Sequence, residues 1–399
     1  MTNIAILGFG VVGSGIADVL TQNQKSIEKK IGDKINIKYI LDLREFPDSP
    51  FADKIVHDFN IILNDDEVSI VAEAMGGLHP AADFSEAALK KGKSVVTSNK
   101  HVVAEVGDML LKTAEENGAR YLFEASVGGG IPVLRPLGTC LAANKINSIN
   151  GILNGTTNYI LTQMIDFGKT FEVALKEAQQ KGYAEANPSA DVDGIDACRK
   201  ICILAAIAYG KLIDPAKVPT TGISNIRLED VKNAADSGYA IKLIGQAKDV
   251  DGKMAVSVSP RLVPYDNLLA KVDDVFNGVL INGNAVDDVL FIGRGAGKMP
   301  TASAVVADII DIAGRPELKN QIWEKATDDD LAPAEENVSR YYVCVKNALN
   351  EESVKKVFSD ISSITLRDGE LSFITQPLKK KDFDEMASKL DVVSWFEVL

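Results

Sequence analysis

Residues 3–13 read NIAILGFGVVG, and they carry the strongest fold signal in the sequence. The mostly apolar run Asn3–Leu7 predicts a short buried strand that ends directly at a glycine-rich turn. Apolar residues then recur at helical spacing at Val12, Ile16 and Val19, which predicts a helix after the turn. A strand, a Gly-x-Gly-x-x-Gly turn and a helix in this order are typical of a dinucleotide-binding unit.

Each glycine of this turn has a separate physical role. Gly8 allows the tight turn out of the strand, Gly10 lets the backbone approach a pyrophosphate, and Gly13 lets the helix pack closely on the strand. The helix N-terminus then stabilises the negative charge. Phe9 and Val12 belong to the same loop and are predicted to contact the cofactor. The alternative interpretation is a plain strand-to-helix turn without a ligand.

The choice between NAD and NADP stays open. The second predicted strand ends at Leu41, and Asp42 and Arg44 follow it. Asp42 can accept hydrogen bonds from a ribose 2′-hydroxyl, which favours NAD, whereas Arg44 can pair with a 2′-phosphate, which favours NADP.

Strands and helices alternate through the first part of the chain. The predicted elements are strands at Ile35–Leu41, Ile70–Met75, Ser94–Thr97 and Tyr121–Ala125, with helices at His79–Lys91 and Val102–Glu116. This alternation predicts an α/β Rossmann domain, with a parallel sheet covered on both faces, over residues 1–130. The apolar helix Ala302–Ile312, within residues 300–318, is expected to return to this domain.

The middle region, residues 131–299, is predicted to be α+β with a mostly antiparallel sheet. Its predicted strands are Ile146–Leu153, Ile241–Lys248, Ala255–Val263, Val275–Ile281 and Val286–Ile292. Its predicted helices are Tyr159–Met164, Phe171–Gln180 and Gly194–Ala208. Asp251-Gly252 and Asn282-Gly283 predict tight turns between strands. We expect this region to bind substrate and to mediate dimerisation.

Beyond a polar linker at Asp328–Glu336, residues 337–399 are predicted to form a third domain. The predicted order is strand Arg340–Val345, helix Glu352–Ser359, strands Ser362–Leu366 and Leu371–Ile374, helix Lys381–Leu390 and strand Val393–Val398. The order βαββαβ is ferredoxin-like.

Composition excludes several classes of function. Apolar residues make up 46% and charged residues 25%, as in globular proteins, and the net charge of −13 disfavours nucleic acid and membrane surfaces as partners. No apolar run approaches the roughly 20 residues of a membrane span, and the N-terminus does not read as a signal peptide. The four cysteines, Cys140, Cys198, Cys202 and Cys344, are predicted to be buried free thiols in a reducing cytoplasm.

Two lysines are candidates for chemistry. Lys100 follows a strand of the predicted parallel sheet, where ligands gather. Lys200 shares a helix face with Asp196, on a helix for which Asp193 is the predicted N-cap. From the residues alone, both lysines can equally be surface groups, because an exposed ion pair is common and weak.

Six segments together resemble the homoserine dehydrogenase family. They are GFGVVG, VVTSNK, FEASVGGGIP, GILNGTTNYIL, GYAEANPSADVDGIDACRK and GRGAGKMPTASAVVAD, in an order that fits residues 1 to about 315, roughly four-fifths of the chain. The resemblance implies NAD(P)-dependent interconversion of L-homoserine and L-aspartate 4-semialdehyde in threonine and methionine biosynthesis. Asn187 stands where relatives often carry Asp, and we expect little consequence.

The resemblance also implies residue roles. Lys200 resembles the general acid/base, and Lys100 resembles its electrostatic helper near the nicotinamide, so we expect both amines to meet in one pocket. The implied substrate contacts are Glu185, Asp196, Asp191, Tyr183, Thr156 and Gly155. The further expected cofactor contacts are Gly76, Lys100, Gly182 and Gly297.

Glu124, with the carbonyls of Val127, Gly129 and Ile131, resembles the family's site for a monovalent cation, Na⁺ or K⁺. We expect the cation to be structural, at the hinge between two domains. The resemblance also implies a homodimer or homotetramer.

The C-terminal region resembles an ACT domain, but Lys346–Glu351 lacks the Pro-Gly usual in effector-binding members. Threonine inhibition and a dimerisation or packing role therefore both stay open. Two other functions compete with the dehydrogenase: a semialdehyde dehydrogenase, which needs a cysteine nucleophile, and a non-catalytic sensor of NAD(P) and amino acids. Cys140 and Cys198 lie in apolar helical stretches without a nearby histidine, which disfavours the first.

Overall fold

The computed structural model describes residues 1–346 and 351–399. Its strands are β1 (Thr2–Leu7), β2 (Ile35–Leu41), β3 (Ile55–Val56), β4 (Val68–Glu73), β5 (Ser94–Thr97), β6 (Tyr121–Leu122), β7 (Ile146–Ile152), β8 (Lys211–Leu212), β9 (Tyr239–Val250), β10 (Lys253–Pro264), β11 (Phe276–Gly283), β12 (Asp287–Arg294), β13 (Glu324–Lys325), β14 (Val338–Ser339), β15 (Tyr341–Lys346), β16 (Ile361–Arg367), β17 (Glu370–Thr375), β18 (Leu378–Lys379) and β19 (Val392–Val398). Its α-helices are α1 (Val11–Ile31), α2 (Phe59–Leu63), α3 (Ala81–Lys90), α4 (Lys100–Glu116), α5 (Gly155–Phe167), α6 (Phe171–Gln180), α7 (Ser189–Val192), α8 (Ile195–Tyr209), α9 (Leu228–Asp236), α10 (Lys298–Gly314), α11 (Glu351–Val357) and α12 (Lys380–Ala387).

The described residues form two compact units. The first unit comprises Met1–Asn144, Cys202–Lys217 and Gly293–Ala326. The second unit comprises Lys145–Ile201, Val218–Ile292 and Thr327–Leu399. Each unit has hydrophobic clusters of its own.

The first unit contains a six-stranded parallel sheet in the order β3-β2-β1-β4-β5-β6. This confirms the predicted Rossmann arrangement. The direction of chain progression reverses between β1 and β4, and the crevice at such a switch point is where doubly wound sheets bind their ligands. The carboxyl ends of β1, β4 and β5 therefore form the candidate cofactor edge.

Helix α10 packs against α1 in this unit, as the sequence predicted. A Cβ atom built on Gly15 would lie 3.0 Å from the Cβ of Ala302 and 3.0 Å from the carbonyl oxygen of Lys298, so the two helices approach closely. The strand predicted over Tyr121–Ala125 is shorter than expected. It ends at Leu122, because residues 124–126 form a 3₁₀ turn.

The second unit contains a nine-stranded mixed sheet in the order β12-β11-β7-β9-β10-β19-β15-β17-β16. Its first five strands pair antiparallel where their pairing is described, as predicted. Asp251 and Gly252 form the two-residue turn between β9 and β10 with positive φ values of 53° and 85°. The turn predicted at Asn282-Gly283 is wrong. Both residues continue β11 and pair with β7, and the turn lies at residues 284–286.

The C-terminal part of this unit has the predicted βαββαβ order. Its strands lie in the order β19-β15-β17-β16, with antiparallel neighbours, which is the ferredoxin-like arrangement. Strand β19 also pairs parallel with β10, so this part extends the sheet of the middle region. The segment Lys346–Glu351, which lacks the Pro-Gly usual in effector-binding ACT domains, falls mainly on residues 347–350, which lie outside the described residues.

Within the described part of the chain, no helix is both long and apolar enough to cross a membrane.

Candidate active site

The glycine-rich loop at the end of β1 has the geometry that its sequence predicts. Gly8 has a φ of +89°, in the left-handed region that favours glycine. A Cβ on Gly13 would overlap the carbonyl oxygen of Gly8, so only glycine fits where α1 crosses the turn. A Cβ on Gly10 would meet nothing within 4 Å. The space over Gly10 is therefore open, as an approaching pyrophosphate requires.

Asp42, just beyond β2, is tied to the same loop. Its carboxylate accepts a hydrogen bond from the backbone N–H of Phe9 at 2.8 Å and pairs with both Nε and Nη2 of Arg44 at 3.0 and 2.9 Å. The Arg44 guanidinium holds the pKa of Asp42 well below its usual range. The Arg44 side chain is 64% exposed, so it presents its charge to solvent beside the glycine loop.

His57 stands next to this pair. Its Nδ1 lies 2.7 Å from the carbonyl oxygen of Asp42, and its Nε2 lies 2.9 Å from the carboxylate of Glu45. The hydrogen bond to the Asp42 carbonyl, together with that to Glu45, raises the pKa of His57. Sequence reasoning did not single out His57, because it lies 15 residues beyond Asp42 and only the fold brings them together.

Lys100 is the first residue of α4 and is half-buried. Asn99 caps this helix, because its side-chain oxygen accepts hydrogen bonds from the backbone N–H groups of His101 and Val102. Gly76, in the loop after β4, has a φ of +131° and open space where a Cβ would be. Lys100 and Gly76 thus follow β5 and β4, at the carboxyl edge predicted for ligands.

In the second unit, Lys200 and Asp196 form a buried ion pair. The Lys200 Nζ lies 2.8 Å from Oδ2 of Asp196 and donates to the carbonyl oxygen of Leu153 at 2.7 Å. Lys200 is only 7% exposed and Asp196 only 6%. This burial excludes the alternative interpretation of an ordinary surface pair, and buried ionisable groups of this kind are typical of functional sites.

Asn154 joins this pair to a second carboxylate. Its Nδ2 donates to Oδ1 of Asp191 at 2.7 Å and to Oδ2 of Asp196 at 2.9 Å. Its Oδ1 accepts from the backbone N–H of Thr157 and caps α5. The sequence analysis missed this residue. The available signal was an Asn at the junction of a predicted strand and helix, which indicates a cap but not the two carboxylates.

The other predicted substrate residues of the second unit lie around α5 and α6. The Thr156 hydroxyl donates to the carbonyl oxygen of Tyr183 at 2.6 Å. A Cβ on Gly155 would lie 2.7 Å from the carbonyl oxygen of Val275, which explains the glycine there. The Tyr183 side chain is 43% exposed. Glu185 is exposed, and its carbonyl accepts a hydrogen bond from the Gln179 amide.

Two glycines with predicted cofactor roles have left-handed backbones. Gly182, two residues beyond the end of α6, has a φ of +75°, and Gly297, at the N-cap position of α10, has a φ of +118°. Each belongs to a different unit of the chain. Glycine adopts such backbone conformations without steric strain.

The predicted N-cap role of Asp193 is wrong. Asp193 is the C-cap of the short helix α7, and α8 begins at Ile195. The carbonyl of Gly194 accepts the first bond of α8 from the N–H of Cys198. Gly194 has a φ of +84°, so the chain needs glycine at the junction between the two helices.

Glu124 lies in the first unit at the start of a loop of small residues. Its carboxylate accepts hydrogen bonds from the N–H groups of Val133, Leu134 and Arg135 at 2.7 to 2.8 Å. Its own N–H donates to Asp308, whose carboxylate pairs with Arg135. Burial raises the pKa of Asp308 to about 7, with a contribution from the charge of Glu124 and an opposing one from Arg135.

The Glu124 loop continues through the predicted carbonyl ligands. A Cβ on Gly129 would overlap the carbonyl of Gly295, so the loop 127–131 is folded tightly against residues 293–297. Elsewhere in the described chain, no group of three or more His, Cys, Asp or Glu side chains is placed to hold a metal ion. The site predicted at Glu124 consists of one carboxylate and backbone carbonyls, so it differs from such a cluster of side chains.

The cysteines offer no support for a thiol-based reaction. None of the four forms a disulfide in the described residues, and Cys198 and Cys202 are buried on one face of α8. Cys140 is exposed, which corrects the prediction that it is buried. It ends the π-helical turn Pro136–Cys140, which leaves its side chain at the surface.

A doubly wound parallel sheet with a glycine-rich nucleotide loop, combined in one chain with a buried lysine–carboxylate pair, defines a nicotinamide-dependent oxidoreductase. Comparison with known proteins identifies the particular family. Residues 8–124 match the family model for the NAD-binding domain of homoserine dehydrogenase, and residues 132–310 match that for homoserine dehydrogenase itself. The chain belongs to the homoserine dehydrogenase family, as its sequence predicted.

Individual relatives agree. The homoserine dehydrogenase of Neisseria gonorrhoeae is 43% identical over 78% of this chain and 72% of its own length. That of Helicobacter pylori is 40% identical over 91% of this chain and 85% of its own length.

Solved structures agree as well. A homoserine dehydrogenase from Thiobacillus denitrificans matches with a TM-score of 0.91 and 33% identity, over 100% of this chain and 98% of that one. A hyperthermophilic archaeal homoserine dehydrogenase in complex with NADPH matches with a TM-score of 0.69 and 30% identity, over 80% of this chain and 99% of that one.

Proposed function

We propose that this chain interconverts L-homoserine and L-aspartate 4-semialdehyde with NAD(P), and that Lys200 exchanges a proton with the substrate oxygen. The observation that carries the proposal is the hydrogen-bonded set formed by the buried residues Lys200, Asp196 and Asn154 with the half-buried Asp191. Removing such charges from water costs folding free energy, so a site of this kind is more readily explained by chemistry than by stability.

The charges of this set suit an amino-acid substrate. Asp191 and Asp196 both accept from one nitrogen of Asn154, so their carboxylates lie close together. Two carboxylates this close together attract a cationic group, so they are proposed to bind the ammonium group of homoserine or of the semialdehyde. Glu185, on the exposed segment after α6, is proposed as a further ligand of that ammonium group.

Three neighbours are proposed to shape the rest of the substrate pocket. Tyr183 offers an exposed phenol, and the Thr156 hydroxyl holds the Tyr183 carbonyl at 2.6 Å. Gly155 begins α5, whose N-terminal N–H groups favour a carboxylate. The substrate carboxylate therefore has a natural place at this helix end.

In the reaction, the Lys200 amine takes the hydroxyl proton when homoserine is oxidised and returns a proton when the aldehyde is reduced. When bound, the nicotinamide accepts or supplies the hydride. Asp196 and the Leu153 carbonyl hold the Lys200 amine at 2.8 and 2.7 Å, which fixes its position for this transfer. Lys100 is proposed as a second cation that stabilises charge on the substrate oxygen.

The residues proposed to hold the NAD(P) phosphates fit that role. Gly8, Gly10 and Gly13 form a turn with open space above its centre, at the N-terminus of α1. The left-handed backbones of Gly76, Gly182 and Gly297 are proposed as further contacts. Asp42 and Arg44 lie beside the loop and are proposed to decide between NAD and NADP.

A monovalent cation is proposed at Glu124 and the carbonyls of Val127, Gly129 and Ile131. The Glu124 carboxylate is buried, and its backbone N–H donates to the buried Asp308. Carboxylate and carbonyl oxygens are the hard ligands that Na⁺ and K⁺ prefer. The thermal unfolding midpoint should then be higher in NaCl or KCl than in tetramethylammonium chloride at equal ionic strength, and equal midpoints would contradict the site.

The C-terminal part is proposed to have a packing role. Strand β19 pairs with β10, and Arg227 of the middle region pairs with Glu370 of β17 at 2.9 Å. Activity should therefore be unchanged in millimolar threonine, and inhibition would instead establish an effector site.

The predicted division into domains at residues 1–130, 131–299 and 337–399, the cytoplasmic location and the homodimer or homotetramer remain predictions. Light scattering coupled to size-exclusion chromatography gives the molar mass in solution and so tests the predicted oligomeric state.

Initial rates of homoserine oxidation, measured with NAD and NADP in parallel, test the proposed function. Lys200→Ala should lower kcat by about 10²- to 10⁴-fold and leave the Kd of NAD(P)H nearly unchanged, because a general acid/base contributes to the chemical step. Lys232→Ala, at an exposed lysine of α9, is the matched control and should have normal kcat. Near-normal kcat in Lys200→Ala would refute the assigned role, and no turnover by the parent chain would favour the sensor.

A further inference from the structure

Glu73, the last residue of β4, is a buried carboxylate at the cofactor edge of the parallel sheet. It is 0% exposed. Its Oε2 accepts from the Thr97 hydroxyl at 2.5 Å, and its Oε1 accepts from the backbone N–H of Met75 at 2.7 Å. Burial raises the pKa of Glu73, and these hydrogen bonds oppose the increase.

The same hydrogen bonds connect the loops that follow β4 and β5. Thr97, the last residue of β5, also accepts from the N–H of Asn99 at 2.9 Å. Asn99 donates through Nδ2 to the carbonyl of Gly77 at 2.7 Å, and its Oδ1 caps α4, which begins at Lys100. The connections form a closed ring, from Glu73 through Thr97 and Asn99 to the 75–77 loop and back.

The glycine loop after β1 lies against this ring. A Cβ on Gly8 would lie 3.0 Å from the carbonyl oxygen of Ala74 and 3.0 Å from Cγ of Met75. The N–H of Ala74 also donates to the carbonyl of Leu7 at 2.9 Å. A shift in the loop after β4 would therefore reach the turn that surrounds the cofactor phosphates.

We propose that Glu73 is a positioning residue that fixes Gly76 and Lys100 at the cofactor edge. The inference rests on the proposed roles of those two residues. Glu73 does not reach the reacting atoms itself. It acts through the N–H of Met75 and through the hydroxyl of Thr97, which in turn accepts from the N–H of Asn99.

A carboxylate is required here because of its hydrogen-bonding capacity. Both oxygens of this carboxyl group accept hydrogen bonds, Oε2 from the Thr97 hydroxyl and Oε1 from the backbone N–H of Met75. A glutamine of the same size would place an NH₂ group against some of these donors. The loops would then have to move, although the packing volume would hardly change.

Glu73→Gln tests the proposal. The Kd of NAD(P)H, measured by fluorescence, should rise and kcat should fall, each by about 10-fold or more, since a displaced buried donor leaves its partners unsatisfied. The KM for homoserine should stay within about 3-fold, because the carboxylates proposed to bind it belong to other strands and helices. Val71→Ala, at a fully buried residue of the same strand, is the control for lost stability alone.

A purely structural role predicts that both variants melt earlier and that both bind NAD(P)H normally. That result would overturn the proposal. An equal loss in the KM for homoserine would overturn it too, since it would indicate general damage to the enzyme.

If Glu73→Gln does not fold, two variants of Thr97 test the proposal instead. Thr97→Val removes the hydroxyl that donates to Glu73, and it should weaken NAD(P)H binding. Thr97→Ser keeps that hydroxyl and should restore binding, whereas equal NAD(P)H affinities of the two variants would contradict the proposed ring of hydrogen bonds.

Lys100→Met separates this proposal from the proposed function. Normal kcat in Lys100→Met would remove the role of Lys100, while the NAD(P)H affinity of Glu73→Gln would still test whether Glu73 positions the loop at Gly76.

Discussion

Asn154 offers a sharp test of the substrate site, because one side chain has two separable roles. Its Nδ2 bonds to Asp191 and Asp196, and its Oδ1 caps α5 through the N–H of Thr157. Asn154→Ser retains a hydroxyl that can cap the helix, but a serine is too short to hold both carboxylates. Asn154→Ala loses both roles.

The expected magnitudes follow from these contacts. Hydrogen bonds to charged groups contribute about 1.5–3 kcal/mol each, so two such bonds set an upper limit of about 6 kcal/mol. Relaxation of the two carboxylates recovers part of this, and we expect a loss of about 3 kcal/mol, which is about 100-fold in kcat/KM for homoserine. The missing cap should cost Asn154→Ala about 1 kcal/mol more in the free energy of unfolding than Asn154→Ser.

The assay is the initial rate of homoserine oxidation, with urea unfolding measured on the same samples. Asn158→Ala is the matched control, because Asn158 is also buried on α5 and also donates two amide hydrogen bonds, to the carbonyls of Val272 and Phe276. It should lose stability and keep kcat/KM within about 3-fold, since its partners are not substrate ligands. The reasoning fails if Asn154→Ser keeps kcat/KM within about 3-fold of the parent, or if Asn158→Ala loses as much.

Three further predictions concern the cofactor loop and a buried lysine. Gly13→Ala should impair folding because its Cβ overlaps backbone, whereas Gly10→Ala, with open space, should keep the melting temperature and weaken NAD(P)H binding; equal melting temperatures for the two variants would contradict this. Arg44→Ala should lower kcat/KM for NADP by about 10-fold and leave that for NAD within about 3-fold, because only NADP has the 2′-phosphate; equal losses with both cofactors would refute it. Lys242 is fully buried, and burial lowers its pKa from 10.5. Between the lowered pKa and 10.5, the unfolded state therefore binds more protons than the folded state. The contribution of Lys242 to stability should accordingly rise with pH over that range. The difference in urea-unfolding free energy between the parent and Lys242→Met tests this, and a difference independent of pH between 7 and 10 would contradict it.

The features that were predictable from the sequence depend on neighbouring residues. Apolar spacing predicted the longer strands and most of the helices, but it missed the helices α2, α7 and α9 and the two-residue strands β3, β8, β13, β14 and β18. The Asp251-Gly252 turn was found because positive φ at both positions needs these residue types. The glycine-rich loop carries its geometry in six consecutive residues. Family membership was predictable for the same reason, since the motifs that carry it are short and continuous.

Two of the incorrect predictions concern local signals that the tertiary structure overrode. Asn282-Gly283 is a good local turn sequence, but pairing with β7 keeps both residues in β11. Asp193 is a good local N-cap, but the positive φ of Gly194 moves the start of α8 to Ile195. In each case a contact with a distant segment, or one backbone angle at a junction, overrode a local preference.

Residue order alone was enough to predict the parallel Rossmann sheet, the cofactor loop, the helix with Lys200 and Asp196, and the family. The folded chain was needed to show that Asn154 contacts carboxylates 37 and 42 residues away, that Glu73 connects the loops after β4 and β5, and that β19 pairs with β10. Local patterns are written within a few residues, because helix and strand periodicities repeat over that distance. The direction in which a buried side chain meets its partner depends on how whole strands are ordered, and no short stretch of sequence contains that information.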